Sequence, residues 1–314
     1  MTDPADPSLP ADRWQTLLTE GRHPESADLD TLSSKEIVSL LLAEDRAGLD
    51  LALLHRDEIA RGAEWLAETL AGGGDVVFAG AGTSGRLGIL EAAECPPTFG
   101  TDPKRIRAVM AGGQQAVFEA QEGAEDRFED GRIAVDDLGS GDLLVGLSAS
   151  SVTPYARGAL AKARLQGART ILVTCAGEEG LEDQADLLIA LETGPEILTG
   201  STRLKAGSAT KAVLNAITTA AMVRMGKAYE NLMVDLKPGS AKLRDRAVRI
   251  VESAGQVSRR EAKRLYDMAD GEVKTAIVMS RCQVSADKAR EYVSAAGGHV
   301  RQALANVRDS GKSQ

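Results

Sequence analysis

The sequence predicts an α/β fold, a doubly wound parallel sheet flanked by helices, with an N-terminal helical arm and a small C-terminal helical module. Short apolar runs alternate with helical patterns through the middle of the chain. These runs are apolar at consecutive positions, as in strands buried on both faces, and such alternation is typical of a parallel sheet. From Leu243 onward the strand pattern disappears, so the end of the chain is expected to be helical.

The N-terminal arm is expected over residues 1–52, and it begins with a polar stretch that contains several prolines. Ser33 followed by Glu36 has the pattern of a capping box, which predicts a helix carrying Ile37 and the leucines after it. A second helix is predicted from about Leu53 to Leu70, because three consecutive glycines follow it.

The central segment, residues 53–238, should contain the sheet and its covering helices. The predicted strands are Val76–Ala79, Ile106–Met110, Leu143–Leu147, Thr170–Thr174 and Leu187–Leu191, and the helices lie near 84–94, 114–121, 154–166, 179–184 and 205–225. The C-terminal module, residues 239–314, should contain helices near 259–268, 272–279 and 286–295 and a loose tail from Asp309.

The composition narrows the classes of function. The net charge of −9 argues against a duplex-binding surface, and therefore against nucleic-acid partners. The three cysteines (Cys95, Cys175, Cys282) are widely spaced and no Cys/His cluster occurs, which suits reduced thiols in a cytoplasm and predicts no metal site. No secretory signal and no apolar run of transmembrane length is visible, so no membrane partner is expected.

A loop rich in glycine and hydroxyl groups joins the first strand to its helix. It contains Gly82, Thr83, Ser84 and Gly85, with Arg86 following. Glycines let the backbone approach a ligand, while hydroxyls, backbone N–H groups and the helix N-terminus favour an anion, so the loop is predicted to bind phosphate. It lacks the lysine of a Walker A motif and the acidic partner of a dinucleotide site, and a tight turn without a ligand is the alternative.

A second hydroxyl-rich loop follows the strand at 143–147. Its candidate ligand groups are Ser148, Ser150, Ser151 and Thr153, and Pro154 then starts a helix. Because ligands of open α/β sheets collect at the carboxyl ends of the strands, the two loops could grip one phosphate. Helix capping alone would explain any single hydroxyl.

A third polar segment crowds the entrance of the long helix near 205. Its candidate ligand groups are Glu196, Ser201, Arg203 and Lys205. Cations are unfavourable at a helix N-terminus unless an anion is near, so the arginine and the lysine could neutralise a phosphate. The simpler alternative is a solvated start of a helix.

Glu94 and Glu125 are the candidate general acid and base. Glu94 precedes Cys95-Pro96-Pro97, which is predicted to be a rigid turn that fixes its direction. Acid–base chemistry needs two carboxylates in different environments. The sequence leaves open whether these two meet, since a surface position is the default for a glutamate.

Together these motifs resemble those of the N-acetylmuramic acid 6-phosphate etherases, which belong to the sugar isomerase (SIS) family of phosphosugar proteins. The similar stretches are Gly80–Gly88, Glu94–Gly100, Glu122–Asp126, Thr199–Gly207 and Tyr229–Asp235, with Thr19–Pro24 and Leu243–Ala247. The likeness runs from about residue 19 to the C-terminus and implies a SIS-type sheet.

The resemblance implies cleavage of the D-lactyl ether of N-acetylmuramic acid 6-phosphate by elimination and hydration, without a cofactor, in the recycling of cell-wall sugars. It implies that Glu94 is the general acid and Glu125 the general base, and that Thr83, Ser84, Ser148 and Ser150 hold the phosphate. It also implies a homodimer with the active site near the interface. One alternative is a non-catalytic phosphosugar-sensing regulator, because such regulators share this fold. The other is an aldose–ketose phosphosugar isomerase, because it uses a similar proton abstraction.

The second loop departs from the family pattern at two positions. Family members usually read Ala-Ala-Ser-Gly-Arg-Thr-Pro-Tyr there, whereas this chain has Ser151 in place of the glycine and Val152 in place of the arginine. If position 151 needs a positive φ, a non-glycine residue costs roughly 1 kcal/mol or more. The missing arginine removes a cation from the phosphate loop.

Overall fold

A parallel five-stranded sheet forms the centre of the first part of the chain. The computed structural model describes residues 17–181, 183–237 and 239–311; the predicted arm up to residue 16 and the predicted tail from 312 lie outside the described residues. The strands are β1 (Val76–Gly80), β2 (Ile106–Met110), β3 (Leu143–Ser148), β4 (Arg169–Thr174) and β5 (Leu187–Ala190), in the order β2-β1-β3-β4-β5. Gly80 pairs with both Met110 and Leu147, so three strands end together at one edge.

Helices cover both faces of this sheet. They are α1 (Ser34–Leu54), α2 (Arg56–Ala71), α3 (Gly82–Phe99), α4 (Phe128–Ile133), α5 (Pro154–Leu165) and α6 (Lys205–Arg224). Leu160 of α5 belongs to the same buried cluster as Val77 and Leu144. Gly62 of α2 lies against the side chain of Ile171. Because side chains alternate along a strand, Ile171 points to the face of the sheet opposite to the one that α5 covers. The predicted doubly wound architecture is therefore confirmed.

Most of the predicted elements are present, and three predictions for residues 53–238 are wrong. No helix is present at residues 179–181 and 183–184, where turns stand instead and Gly180 has a φ of +74°. Only a short 3₁₀ turn, Gly113–Val117, stands where a helix was predicted near 114–121. Pro96 and Pro97 lie inside α3 rather than forming a turn. Proline can adopt the helical φ, but each one removes a helical hydrogen bond and crowds the carbonyl group four residues before it.

The capping box predicted at the start of α1 is confirmed. The side chain of Ser33 accepts a hydrogen bond from the backbone of Glu36, and the Glu36 side chain accepts one from the backbone of Ser33. From residue 17 onward, where the described part of the chain begins, three short 3₁₀ turns precede this helix, at Leu18–Glu20, Pro24–Ser26 and Leu29–Thr31. No helix in the described ranges is both long and apolar enough to cross a membrane.

The chain divides into two compact units. The predicted segments 1–52, 53–238 and 239–314 stay predictions. In the described ranges, the first unit comprises residues 17–92, 104–181 and 183–218, and the second comprises 93–103, 219–237 and 239–311. The second contains a hairpin of β6 (Ala228–Tyr229) and β7 (Leu232–Met233) and the helices α7 (Ala241–Gly255), α8 (Arg259–Met268), α9 (Val273–Cys282), α10 (Ala286–Ala295) and α11 (Val300–Gly311). The helices α7 and α11 were not predicted, and α11 replaces the first part of the tail expected from Asp309.

Candidate functional site

The first ligand loop lies between β1 and α3, at the carboxyl edge of the sheet. Packing requires a glycine at position 85, because a Cβ there would lie 2.7 Å from the Cβ of Met110 and 2.8 Å from the carbonyl oxygen of Gly80. The first N–H groups of a helix have no acceptor within it. Thr83 and Ser84 therefore present hydroxyl and N–H groups at a helix N-terminus, an arrangement that favours phosphate.

The second loop, between β3 and α5, uses its hydroxyls in two ways. Ser148 Oγ hydrogen-bonds Thr153 Oγ1 at 3.0 Å. Ser151 has a φ of +63°, and its hydroxyl donates to the carbonyl oxygen of Ser150. Ser148 and Ser151 are buried and stabilise the loop through these hydrogen bonds, whereas Ser150 and Thr153 line a cavity. Position 151 thus has the positive φ that the family's glycine would supply without strain.

Glu125 is fixed to the second loop through the backbone. Tyr155 N–H, in the first turn of α5, donates to the carbonyl oxygen of Glu125 at 3.0 Å. The next helix, α4, packs so closely on α5 that a Cβ at Gly131 would lie 1.9 Å from the carbonyl oxygen of Tyr155. The Glu125 side chain is exposed, and it borders the same cavity as Ser150 and Thr153.

A cavity of about 300 Å³ joins these loops, a volume in the range of small-molecule sites. It brings together these predicted site residues: Gly82, Thr83, Ser84, Ser150, Thr153 and Glu125. Polar and glycine residues that were not predicted also line it: Thr19, Glu20, Asp126, Gly200 and Thr202. Thr202 belongs to the third polar segment, and Thr19 and Glu20 to the family-like stretch Thr19–Pro24, so both sequence signals were present but had not been assigned to the site.

The third polar segment reaches the cavity through different residues from those predicted. Glu196 is 1% exposed and accepts hydrogen bonds from the N–H groups of Lys205 (3.0 Å) and Ala206 (2.9 Å), so it caps α6. Burial raises the pKa of Glu196 above its ordinary value, even though these N–H groups act in the opposite direction. Lys205 Nζ binds Glu44 and the carbonyl oxygen of Pro195. The side chains of Glu196 and Lys205 therefore stabilise the local fold.

Three further predicted residues are absent from the cavity lining. Ser201 is half-buried, and its N–H donates to the carbonyl oxygen of Leu198 at 2.9 Å. Arg203 is exposed. Arg86 donates from Nε to the carbonyl oxygen of Val117 at 2.9 Å and borders a neighbouring cavity. Their predicted contacts with substrate stay predictions, and the geometry of Arg86 favours a structural function.

Glu94 belongs to the second compact unit. It lies in α3, and its side chain is exposed. Its assignment as the general acid stays a prediction, as does its meeting with Glu125 in one pocket.

The charged residues that line the cavity in the described ranges are all acidic: Glu20, Glu125 and Asp126. A phosphate would therefore be held by hydroxyls, N–H groups and the positive end of α3 rather than by a side-chain cation of this lining. Val152, which stands where the family has arginine, likewise supplies no cation for a phosphate. Among the described residues, including those of the cavity, no group of three or more His, Cys, Asp or Glu side chains is arranged to hold a metal ion.

Comparison with known proteins gives relatives that match over nearly the whole chain. The chain is 43% identical to the N-acetylmuramic acid 6-phosphate etherase of Parasynechococcus marenigrum over 304 residues, 96% of each chain. It is 45% identical to the enzyme of that name from Geobacillus thermodenitrificans over 293 residues, 92% of this chain and 98% of the other. A third relative of the same name, from Rubrobacter xylanophilus, is 45% identical over 299 residues, 95% and 99% of the two chains.

Two further comparisons concern the sheet-containing part. The family model described as glucokinase regulatory protein N-terminal SIS domain matches residues 58–164. Among solved structures, the phosphoheptose isomerase of Neisseria gonorrhoeae is similar with a TM-score of 0.43 and 19% identity, over 60% of this chain and 100% of that one.

Proposed function

Because this chain belongs to the N-acetylmuramic acid 6-phosphate etherase family, we propose that it cleaves the D-lactyl ether of N-acetylmuramic acid 6-phosphate. The products are N-acetylglucosamine 6-phosphate and D-lactate. The observation that carries this proposal is the identity of 43% and 45% to enzymes of that name over 96% and 92% of the chain. The cavity supports it, because two hydroxyl loops and a carboxylate together suit proton abstraction from a phosphosugar.

The phosphate end of the substrate is assigned to Thr83, Ser84 and Ser150. All three line the cavity, and the first two stand at the N-terminus of α3. Hydroxyl donors and a helix N-terminus stabilise a phosphate dianion without a paired cation. Ser148 and Ser151 support this site indirectly, by holding the loop that carries Ser150.

The proposed chemistry is elimination followed by hydration, which makes the enzyme a carbon–oxygen lyase. Opening of the sugar ring gives an aldehyde that acidifies the proton on C2. Glu125 takes that proton, and lactate leaves C3 with a proton supplied by Glu94. Water then adds to the double bond, with its hydroxyl on C3 and a proton on C2. The net change consumes one water, and it needs no metal or organic cofactor.

A homodimer with the active site near the interface is also part of this proposal. Five large apolar side chains of α1 are exposed: Val38, Leu42, Leu49, Leu53 and Leu54. The first four are spaced by four, seven and four residues, which puts them on one helical face, and a face of this kind favours burial against a second copy. From this substrate we also propose that the enzyme acts in the recycling of cell-wall sugars and that it is cytoplasmic.

The direct test is to incubate the purified protein with N-acetylmuramic acid 6-phosphate and to measure D-lactate. In D₂O, the proposed route places deuterium on C2 of the product. Glu125→Gln should lose both lactate release and deuterium incorporation, whereas Glu94→Gln should lose lactate release and retain exchange at C2. Glu129→Gln, an exposed glutamate of α4, is the matched control and should behave as wild type. Absence of lactate from the wild type would overturn the proposal.

Two other functions are distinguished by the same experiment. The matched SIS domain of a glucokinase regulatory protein favours a phosphosugar sensor as the second candidate, and sensing predicts binding of the sugar phosphate without any product. An aldose–ketose isomerase would give an isomeric sugar phosphate and no lactate.

A further inference from the structure

The turn at Leu18–Glu20 lines the substrate cavity, although it precedes the sheet by more than fifty residues. The turn is closed by two hydrogen bonds, from Glu20 N–H to the carbonyl oxygen of Leu17 (3.0 Å) and from Gly21 N–H to that of Leu18 (3.3 Å). Thr19, at its centre, is only 2% exposed. A small polar side chain is therefore held in a fixed position at the wall of the cavity.

Thr19 Oγ1 has no hydrogen-bond partner among the described residues. Buried hydroxyls are nearly always paired, because leaving one unpaired forfeits its hydrogen bonds to water. Thr101 is in the same condition, with 9% exposure and an unpartnered Oγ1, but it belongs to the second unit and does not line this cavity. The position of Thr19 in the cavity wall offers it a partner that Thr101 lacks, namely a bound ligand.

Glu20 indicates which part of the ligand this turn faces. Its carboxylate lies beside Gly200, where a Cβ would be 3.0 Å from Glu20 Oε2, and both residues line the cavity. A carboxylate repels a phosphate dianion but accepts hydrogen bonds from sugar hydroxyls. The phosphate is therefore expected at Thr83, Ser84 and Ser150, and the sugar at the turn.

We propose that Thr19 is a substrate-binding residue whose hydroxyl hydrogen-bonds the sugar part of the phosphosugar, with the carboxylate of Glu20 accepting from a sugar hydroxyl beside it. This inference rests on the proposed function for the identity of the sugar. It does not depend on turnover, because the contact is made in binding.

The test compares Thr19→Val, which removes the hydroxyl at nearly constant volume, with Thr19→Ser, which keeps it, and with Thr101→Val as the matched control. Thermal unfolding is followed without ligand, with N-acetylglucosamine 6-phosphate and with inorganic phosphate. Without ligand, both valine variants should melt at or above the wild-type temperature, because each loses an unpaired hydroxyl. Thr19→Val alone should lose most of the stabilisation by the sugar phosphate, while its response to phosphate is unchanged and Thr19→Ser keeps both.

In turnover, Thr19→Val should raise KM about tenfold, about 1.4 kcal/mol. A Thr19→Val protein with wild-type KM and a wild-type response to the sugar phosphate would overturn the proposal. Loss of the response to inorganic phosphate would overturn the assignment to the sugar. A wild type that is stabilised by the sugar phosphate but releases no lactate contradicts the proposed function alone, since the binding comparison then still decides the role of Thr19.

Discussion

Replacing Ser151 by glycine should stabilise the protein relative to alanine at the same position, against the usual order of these two residues. Ser151 is buried and has a φ of +63°, a region that L-residues rarely adopt. Its hydroxyl bonds the carbonyl oxygen of Ser150, and both Ser151→Gly and Ser151→Ala lose that bond. The comparison of the two variants therefore isolates the backbone conformation.

The expected difference follows from two opposing contributions. The left-handed conformation costs a residue with a Cβ about 1–2 kcal/mol. Glycine loses more conformational freedom on folding, which costs about 0.5–1 kcal/mol relative to alanine. At position 151 glycine should therefore be the more stable by about 1 kcal/mol, which corresponds to roughly 2–4 °C in melting temperature for a unit of this size.

The assay is calorimetric unfolding of both variants, with the corresponding pair at Ser150 as the control. Ser150 does not have a positive φ, so alanine should be the more stable residue there by about 0.5–1 kcal/mol. If alanine equals or exceeds glycine at 151, the strain argument for this loop is refuted. The same order at both positions would show that the effect is not conformational.

Three further predictions concern charge. Val152→Arg should lower KM for the phosphosugar about fivefold at low ionic strength, since an exposed charge pair contributes about 1 kcal/mol. Added salt should screen this pair and return KM toward the wild-type value. A KM of the variant that does not depend on salt would contradict this prediction. Because the pKa of Glu196 is raised, this residue stabilises the fold below the ordinary pKa of about 4.5, and the stabilisation is lost as the pH rises through the raised pKa. In urea titrations, the stability of Glu196→Gln relative to wild type should therefore improve from about pH 4 to 7. A difference that stays constant with pH would refute this prediction. Lys205→Met leaves Glu44 without its ammonium partner and should cost about 2 kcal/mol in unfolding experiments, whereas a raised KM at unchanged stability would instead assign Lys205 to the substrate.

The sheet was predictable because its strands are buried on both faces, and this burial writes continuous apolar runs into the sequence. The helix predicted at 179–184 failed because Gly180 takes a positive φ, which ends any helical run. The helix α7 was missed, although Ala247, Val251 and Ala254 follow helical spacing toward a buried face, because its many arginines and lysines weaken the apolar signal.

Within the candidate site, the two strand-to-helix loops were predictable and the third segment was not. The carboxyl ends of parallel strands must meet, so Thr83 and Ser150 could be assigned to one place from order alone. At the entrance of α6, composition showed hydroxyls and charges but not the direction in which each side chain leaves the backbone. The Glu196 carboxylate caps the start of α6 and the Lys205 ammonium binds Glu44, whereas Thr202 lines the cavity.

The hydrogen bond from Tyr155 N–H to the carbonyl oxygen of Glu125 couples the loop that grips the ligand to the loop that carries the proposed base. A displacement of either loop must be followed by the other or must break this bond. Occupancy of the phosphate end should therefore slow hydrogen exchange at the Tyr155 amide, even though that amide does not touch the ligand. An insertion beside Glu125 should in turn weaken anion binding at a distance.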